Sequence, residues 1–97
     1  MLRRLRGFLF YSKVKHYVYI IVNSNNLYYK GYSVNPEQRL IYHNANKSSY
    51  TKNKGPWSFI FIKSFDKKTE ALRFEKMIKR QNHKYLDWLI KSDKNEL

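Results

Sequence analysis

Apolar residues gather in three short runs and then recur at helical spacing. Residues 16–22, HYVYIIV, are β-branched and aromatic and predict a strand. NSNN at 23–26 is a turn cluster, and LYYKGY at 27–32 returns as a second strand, so the two form a β-hairpin. In SVNPEQRLIYHN, Asn35 suits a helix cap, Pro36 the first helical position and Gln38 the capping-box partner. These predict a helix over 36–44. ANKSSYTKNKGP, 45–56, is polar and lysine-rich and reads as a loop. WSFIFIKSF, 57–65, is a third strand. A long helix is expected from 66 to 80, broken by QNH, then a short helix over KYLDWLIK, 84–91, and a frayed tail, SDKNEL. The order is β-β-α-β-α-α. It predicts an α/β fold with a small three-stranded antiparallel sheet flanked by helices.

Length limits this to one domain: 97 residues bury a small core. A hydrophobic share of 42% and an aromatic share of 18% suffice to pack it. The expected division is a basic N-terminal arm over 1–15, the folded domain over 16–91 and a polar tail over 92–97. Trp57 and Trp88 are expected in the core. Lys and Arg number 20 against 7 Asp and Glu, a net charge of +13 spread along the whole chain. That is the electrostatic footprint of a nucleic-acid binder. The start, MLRRLRGFLFYSKVK, has an apolar run too short for a signal peptide, and no stretch approaches a membrane span. No membrane partner is expected. With no cysteine, disulfide scaffolds and thiol catalysis are excluded, and a reducing cytoplasm is the expected location.

Candidate chemistry starts on the long helix. Ala71, Phe74 and Ile78 fall at i, i+3 and i+7 of an apolar stripe, and position i+4 of that stripe is Glu75. A carboxylate on the core side is costly unless it is paired or binds a cation. On the first helix Arg39 and His43 are four apart and share a face. Such a pair is a solvated basic face or a phosphate clamp, and the planar fork of arginine suits phosphate oxygens. On the hairpin, an odd loop count sets Tyr19 and Tyr29 on one face. A loop of three or five would place them opposite each other, and a loop of four would separate them. Gly31 follows on the same side as Tyr29, where a strand glycine marks close approach by a ligand or another backbone.

A tyrosine relieved of its proton serves as a general base for water. An arginine neutralises charge growing on a phosphoryl group. One carboxylate holds one Mg²⁺ with its waters. Together these describe one-metal phosphodiester hydrolysis. Two-metal nucleases need clustered carboxylates, and this chain has no acid between Glu37 and Asp66.

These residues resemble the GIY-YIG nuclease superfamily, in particular its small stand-alone bacterial branch related to the nuclease domain of the excision-repair protein UvrC. The resemblance spans about residues 16–91. Its first triplet falls on YVY, 17–19, and its second on YKG, 29–31. NPEQRLIYH, 35–43, is similar to the helix bearing the family's catalytic arginine and histidine. KTEALRFEKMIK, 68–79, is similar to its glutamate helix. The resemblance implies Tyr19 as the base for the attacking water and Tyr29 beside that water and the scissile phosphate. It implies Arg39 on that phosphate, His43 in support, and Glu75 as the sole protein ligand of Mg²⁺ or Mn²⁺. It also implies a metal-dependent DNA endonuclease acting by hydrolysis, with no covalent intermediate. Tyr17 stands where the motif's name has glycine, and Lys30 where isoleucine or valine is common. Asn82 is the nearest candidate for the family's late site asparagine.

Lys30, Lys47, Lys52, Lys54 and Arg73 are candidate phosphate contacts, and Tyr50 a base-stacking one. Binding carried by them weakens steeply with salt. The rival reading is a catalytically inactive nucleic-acid-binding module. DNA form, biological pathway, whether repair or another, and oligomeric state stay open.

Overall fold

The computed structural model describes residues 14–97. Six elements follow in the expected order: β1 (His16–Val22), β2 (Tyr28–Ser33), α1 (Pro36–Asn44), β3 (Ser58–Phe65), α2 (Lys68–Ile78) and α3 (His83–Lys91). The strands form one antiparallel sheet, ordered β2-β1-β3. Of the proposed basic arm, residues 1–13 lie outside the described residues. Val14 and Lys15 lead into β1, and Lys15 Nζ pairs with Asp66 at 2.6 Å.

Local chemistry explains the boundaries. Asn35 Oδ1 accepts the backbone N–H of Gln38 at 3.2 Å, and Pro36 opens α1. The reciprocal half of a capping box is replaced, because the Asn35 N–H donates to Ser33 Oγ at 2.8 Å. α3 begins at another cap, Asn82 Oδ1, which accepts the N–H of Tyr85 at 2.9 Å. Asn82 is thus occupied at a helix start.

The hairpin loop has five residues, 23–27, between the paired Val22 and Tyr28. One buried side chain organises it. Asn23 Oδ1 accepts the N–H groups of Asn25 at 3.0 Å and Leu27 at 2.9 Å, while its amide donates to the Lys54 carbonyl at 2.8 Å. Asn26 takes the left-handed conformation, φ 62°, which asparagine tolerates.

The sheet divides the core in two. One face carries Val18, Ile20 and Phe61, packed against Ala71 and Ile78 of α2 and Leu86 and Leu89 of α3. The other carries Tyr19, Ile21, Tyr29, Phe59 and Ile62, packed with Leu40 of α1 and with Trp57. α1 therefore lies on one face, and α2 with α3 on the other.

The two strand edges are treated differently. The C-terminal segment is docked against β3, contrary to the frayed tail expected. Glu96 N–H donates to the Ile62 carbonyl at 2.8 Å, and Asn95 Oδ1 accepts the Ile62 N–H at 3.2 Å. The Asn95 amide donates to the carbonyls of Ile60, at the β3 irregularity, and of Ile90. A polar segment covers the row of edge groups that β3 would otherwise leave unpaired. Trp88 also departs from expectation: it is 56% exposed, while Trp57 is buried. Leu86 and Leu89 set the core side of α3, which turns residue 88 about 200° from 86 and about 100° from 89.

Candidate active site

Tyr19 sits on the central strand, directly across from Gly31, and Ile21 is across from Tyr29. Tyr19 and Tyr29 thus share a face, as an odd loop requires. They are diagonal neighbours, two register positions apart, rather than opposite. Gly31 does not leave a bare patch for phosphate. The Tyr19 phenol lies over it, and a Cβ built on Gly31 would stand 2.5 Å from Tyr19 Cζ and 3.0 Å from Cε1. The close approach that a strand glycine signals is made here by the chain's own tyrosine.

The phenol is held on three sides. Its ring meets Phe59 edge-on, with centroids 6.0 Å apart. Its oxygen is 2.9 Å from His43 Nε2 in a buried hydrogen bond. Residue Tyr19 is 1% exposed. Burial raises its pKa above the ordinary 10.0, and the nearby charges of Tyr29 and Glu75 act in the same direction. Arg39 opposes, yet the net shift is upward. These influences also show convergence: Tyr29, Arg39 and Glu75 all lie within electrostatic reach of one phenol.

His43 occupies the buried side of α1. Its Nδ1 is 2.8 Å from Thr51 Oγ1, and both residues are fully buried. Burial, and then the charge of Arg39, lower its pKa below 6.5. The imidazole is therefore neutral at physiological pH. The Tyr29 ring packs 4.8 Å from it. Arg39, one turn earlier, lies over the Tyr42 ring at 4.5 Å.

Glu75 comes from the opposite sheet face. Its side chain is 15% exposed, and its carboxylate meets Lys79 Nζ at 3.2 Å. That lysine lies one turn on, at the C-cap of α2. The two faces meet at the open edge of β2. There Tyr29 and Tyr50 from one side, and Tyr28, Lys30 and Lys79 from the other, line a cleft of about 250 Å³. Tyr29 and Tyr50 stack at 5.6 Å, and Lys54 Nζ lies 4.3 Å over the Tyr50 ring. Burial, and then Lys79, lower the pKa of Lys30.

Among the predicted phosphate contacts, Lys30 reaches this cleft and Lys54 borders it. Lys47 and Lys52 are exposed on the same loop. Arg73 is exposed two residues before Glu75, about 200° around the helix from it, and is not brought to the cleft. Asn82 caps α3 instead of joining the site. Thr51 escaped the sequence reading, since a threonine in a lysine-rich loop has no local mark of burial. Among the described residues, no three His, Cys, Asp or Glu side chains come together. No helix among them is long and apolar enough to cross a membrane.

The family model for the GIY-YIG catalytic domain matches residues 15–87. The chain is 44% identical over 66 residues to the UPF0213 protein SH2523 of Staphylococcus haemolyticus, covering 67% of this chain and 80% of that one. It is 33% identical over 85 residues to the UPF0213 protein SAG0778 of Streptococcus agalactiae, covering 87% of this chain and 97% of its relative. The solution NMR structure of the UPF0213 protein BH0048 from Bacillus halodurans superposes with a TM-score of 0.56 at 28% identity, over 84% of this chain and 88% of that one. The match spans Tyr19, Tyr29, Arg39, His43 and Glu75, and the chain belongs to the GIY-YIG nuclease superfamily as a UPF0213 protein.

Proposed function

We propose that this protein is a metal-dependent DNA endonuclease that hydrolyses phosphodiester bonds at the Tyr19–His43–Arg39–Glu75 site. The observation that carries this reading is the buried Tyr19–His43 contact, set within reach of an arginine and a carboxylate delivered from the other sheet face.

A tyrosine whose pKa is raised keeps its proton at neutral pH, so it acts as a base only by passing that proton on. His43 is neutral and 2.9 Å away, able to take it. In this reading Tyr19 donates its O–H to His43 Nε2 and presents an oxygen lone pair to the attacking water. As the water's proton goes to Tyr19, the phenol's own proton moves to His43. Arg39 neutralises charge developing on the phosphoryl oxygens. Tyr29 and Tyr50 give stacking faces beside the cleft, and Lys30, Lys54 and Lys79 its positive rim.

The donor set fits one hard divalent ion. Glu75 offers a single, partly buried carboxylate, and Mg²⁺ or Mn²⁺ would complete its shell with waters and substrate oxygens. Such an ion would supply Lewis-acid stabilisation of the phosphoryl group. Lys79 is 50% exposed and leaves the carboxylate at the cost of a surface ion pair, about 0–1 kcal/mol. That same ion pair favours the rival reading, a binding module whose carboxylate is already neutralised.

Cleavage of single-stranded, double-stranded and branched DNA, with Mg²⁺ and with chelator, separates the two. Wild type should cut at least one form only with metal. Glu75→Ala, Tyr29→Phe and Tyr19→Phe should lose that cleavage while retaining binding. A wild type that cuts nothing, or variants that all cut alike, would sink the proposal.

A further inference from the structure

Trp88 and the cations around it stand apart from the Tyr19–His43 site. The tryptophan is 56% exposed, on a helix whose Leu86 and Leu89 face the core. Lys84 lies one turn before it and Lys91 just under one turn after, each within about 60° of it around the axis. Both lysines are exposed. Tyr85, which packs against the core, backs the indole with ring centroids 5.5 Å apart. A flat apolar ring is thus held outward between two positive charges.

α2 presents the same sign on the same side. Arg73 is two residues from the buried Ala71, and Lys76 two from the buried Ile78, so each points about 200° away from a core contact. Both helices pack on one sheet face, and their outward sides therefore form one surface. Arg80, exposed in the turn after α2, continues it toward Lys84. Among the described residues, none of these five cations takes part in an ion pair. The carboxylates of the two helices are placed elsewhere. Glu75 is tied to Lys79, Asp87 accepts the Tyr28 hydroxyl, and Glu70 is in the first turn of α2, away from the connection to α3. The surface also joins the β2 cleft. Lys79, which lines the cleft, comes three residues after Lys76, and the Tyr28 ring on the cleft wall stacks at 3.9 Å on His83, the first residue of α3.

We infer that the outward side of α2 and α3 is a second DNA-contact surface, along which an unpaired strand leaving the cleft runs to Trp88. The lysines and arginines meet its phosphates, and the indole stacks on a base. Stacking of this kind is open to any base, because every base has a π-face. It requires an unpaired strand, since the bases of a duplex already stack on one another. A lipid surface fits less well. An interfacial helix needs a broad apolar face, and the apolar residues Leu86 and Leu89 of α3 are committed to the core. A single aromatic ring among unpaired cations, on a chain of net charge +13, matches a polyanion that also carries rings. The inference rests on the nuclease reading for the strand in the cleft.

Trp57 is buried, so Trp88 is the tryptophan that a ligand can reach, and its fluorescence tests the surface without cleavage. The full chain is titrated in chelator with a labelled single-stranded oligonucleotide, and binding is read in parallel by anisotropy. Binding should quench the indole emission of wild type, and Trp88→Phe should abolish that quenching. Trp88→Ala should weaken binding by about fivefold to a hundredfold, the range for losing one stacked base. Lys84→Gln combined with Lys91→Gln should flatten the slope of log K against log salt by about 1.4, two single-strand phosphate contacts. With Mg²⁺ these variants should raise KM and leave kcat unchanged. An oligonucleotide that binds without quenching overturns the inference. So does quenching by blunt duplex alone, or by phosphatidylglycerol vesicles in place of the oligonucleotide. Should Trp88→Ala fail to fold, the wild-type quenching and the lysine variants still decide it. A protein that binds and quenches as expected but never cuts would refute the nuclease reading and leave the surface standing. One that cuts without quenching would refute the surface alone.

Discussion

Gly31→Ala places a methyl group where the Tyr19 phenol lies. Among the described residues no glycine has positive φ, so the strand backbone accepts alanine. Taken alone, the change would stabilise by about 0.4–1 kcal/mol, because alanine has fewer unfolded conformations to lose. Against this stands the contact. The new carbon would lie 2.5 Å from Tyr19 Cζ, where an ordinary approach is about 3.5–4 Å. The ring must move by roughly 1 Å, and it is pinned by Phe59 and by His43. Overpacking of this kind costs about 1–3 kcal/mol, and losing the His43 hydrogen bond about 0.5–1.5 kcal/mol more. The net expectation is a loss of about 1–4 kcal/mol. At about 4–8 °C per kcal/mol for a domain of this size, a loss of about 2 kcal/mol lowers Tm by roughly 8–16 °C. Thermal unfolding followed by circular dichroism reads this directly. The control is a double-mutant cycle with Tyr19→Leu, which removes Cζ and the hydroxyl. In that background Gly31→Ala should be neutral or slightly stabilising, giving a coupling above about 1 kcal/mol. A Gly31→Ala protein within about 0.5 kcal/mol of wild type, or a cost that persists in the Tyr19→Leu background, would refute the claim that this glycine makes room for the phenol.

Three further outcomes are expected. Asn95→Ala removes the two Asn95 side-chain bonds to β3 and the one to Ile90; it should cost about 1–3 kcal/mol in denaturant unfolding and speed amide exchange at Ile62. Unchanged exchange there would show that the tail does not hold the edge. Tyr28, half-buried and donating to Asp87 Oδ1 at 2.6 Å, has its pKa pushed up from 10.0 to about 12, first by burial and then by Asp87. Its stabilisation is full below pH 10 and fades as pH rises through about 12; ultraviolet titration of wild type minus Tyr28→Phe should show the late phenol, and Asp87→Asn should bring it earlier. His43 is held neutral by burial and Arg39, so its folded pKa lies below 6.5. Stability is then full above pH 6.5 and falls as pH drops below it, because the unfolded chain takes up the proton first. Urea unfolding across that range should slope less in His43→Asn, and equal slopes would contradict the assignment.

Tyr19, Tyr29, Arg39, His43 and Glu75 were all legible as candidates, because each sits at a spacing set by its own element. Asn35 and Pro36 mark α1, and its turn then aligns Arg39 with His43. The Ala71, Phe74 and Ile78 stripe orients α2 and leaves Glu75 at the margin of its core side, where Lys79 meets it. The use made of those residues was less legible. Nothing local tells that Gly31 is filled by a tyrosine from the next strand, or that Thr51 is buried against His43.

The sequence by itself determined the elements, their order and the family, because caps, periodicity and turn residues act within a few positions of one another. Tertiary structure alone decided what joins elements. The anchoring of the five-residue hairpin loop depends on Asn23 reaching the Lys54 carbonyl 31 residues away. The docked tail depends on Asn95 finding Ile60, 35 residues back. The meeting of Lys30 and Lys79 with Tyr29 and Tyr50 in one cleft depends on β2 being an edge strand that side chains from both layers can pass. Such contacts are chosen by burial and by the need to satisfy every buried polar group, which only the assembled chain defines.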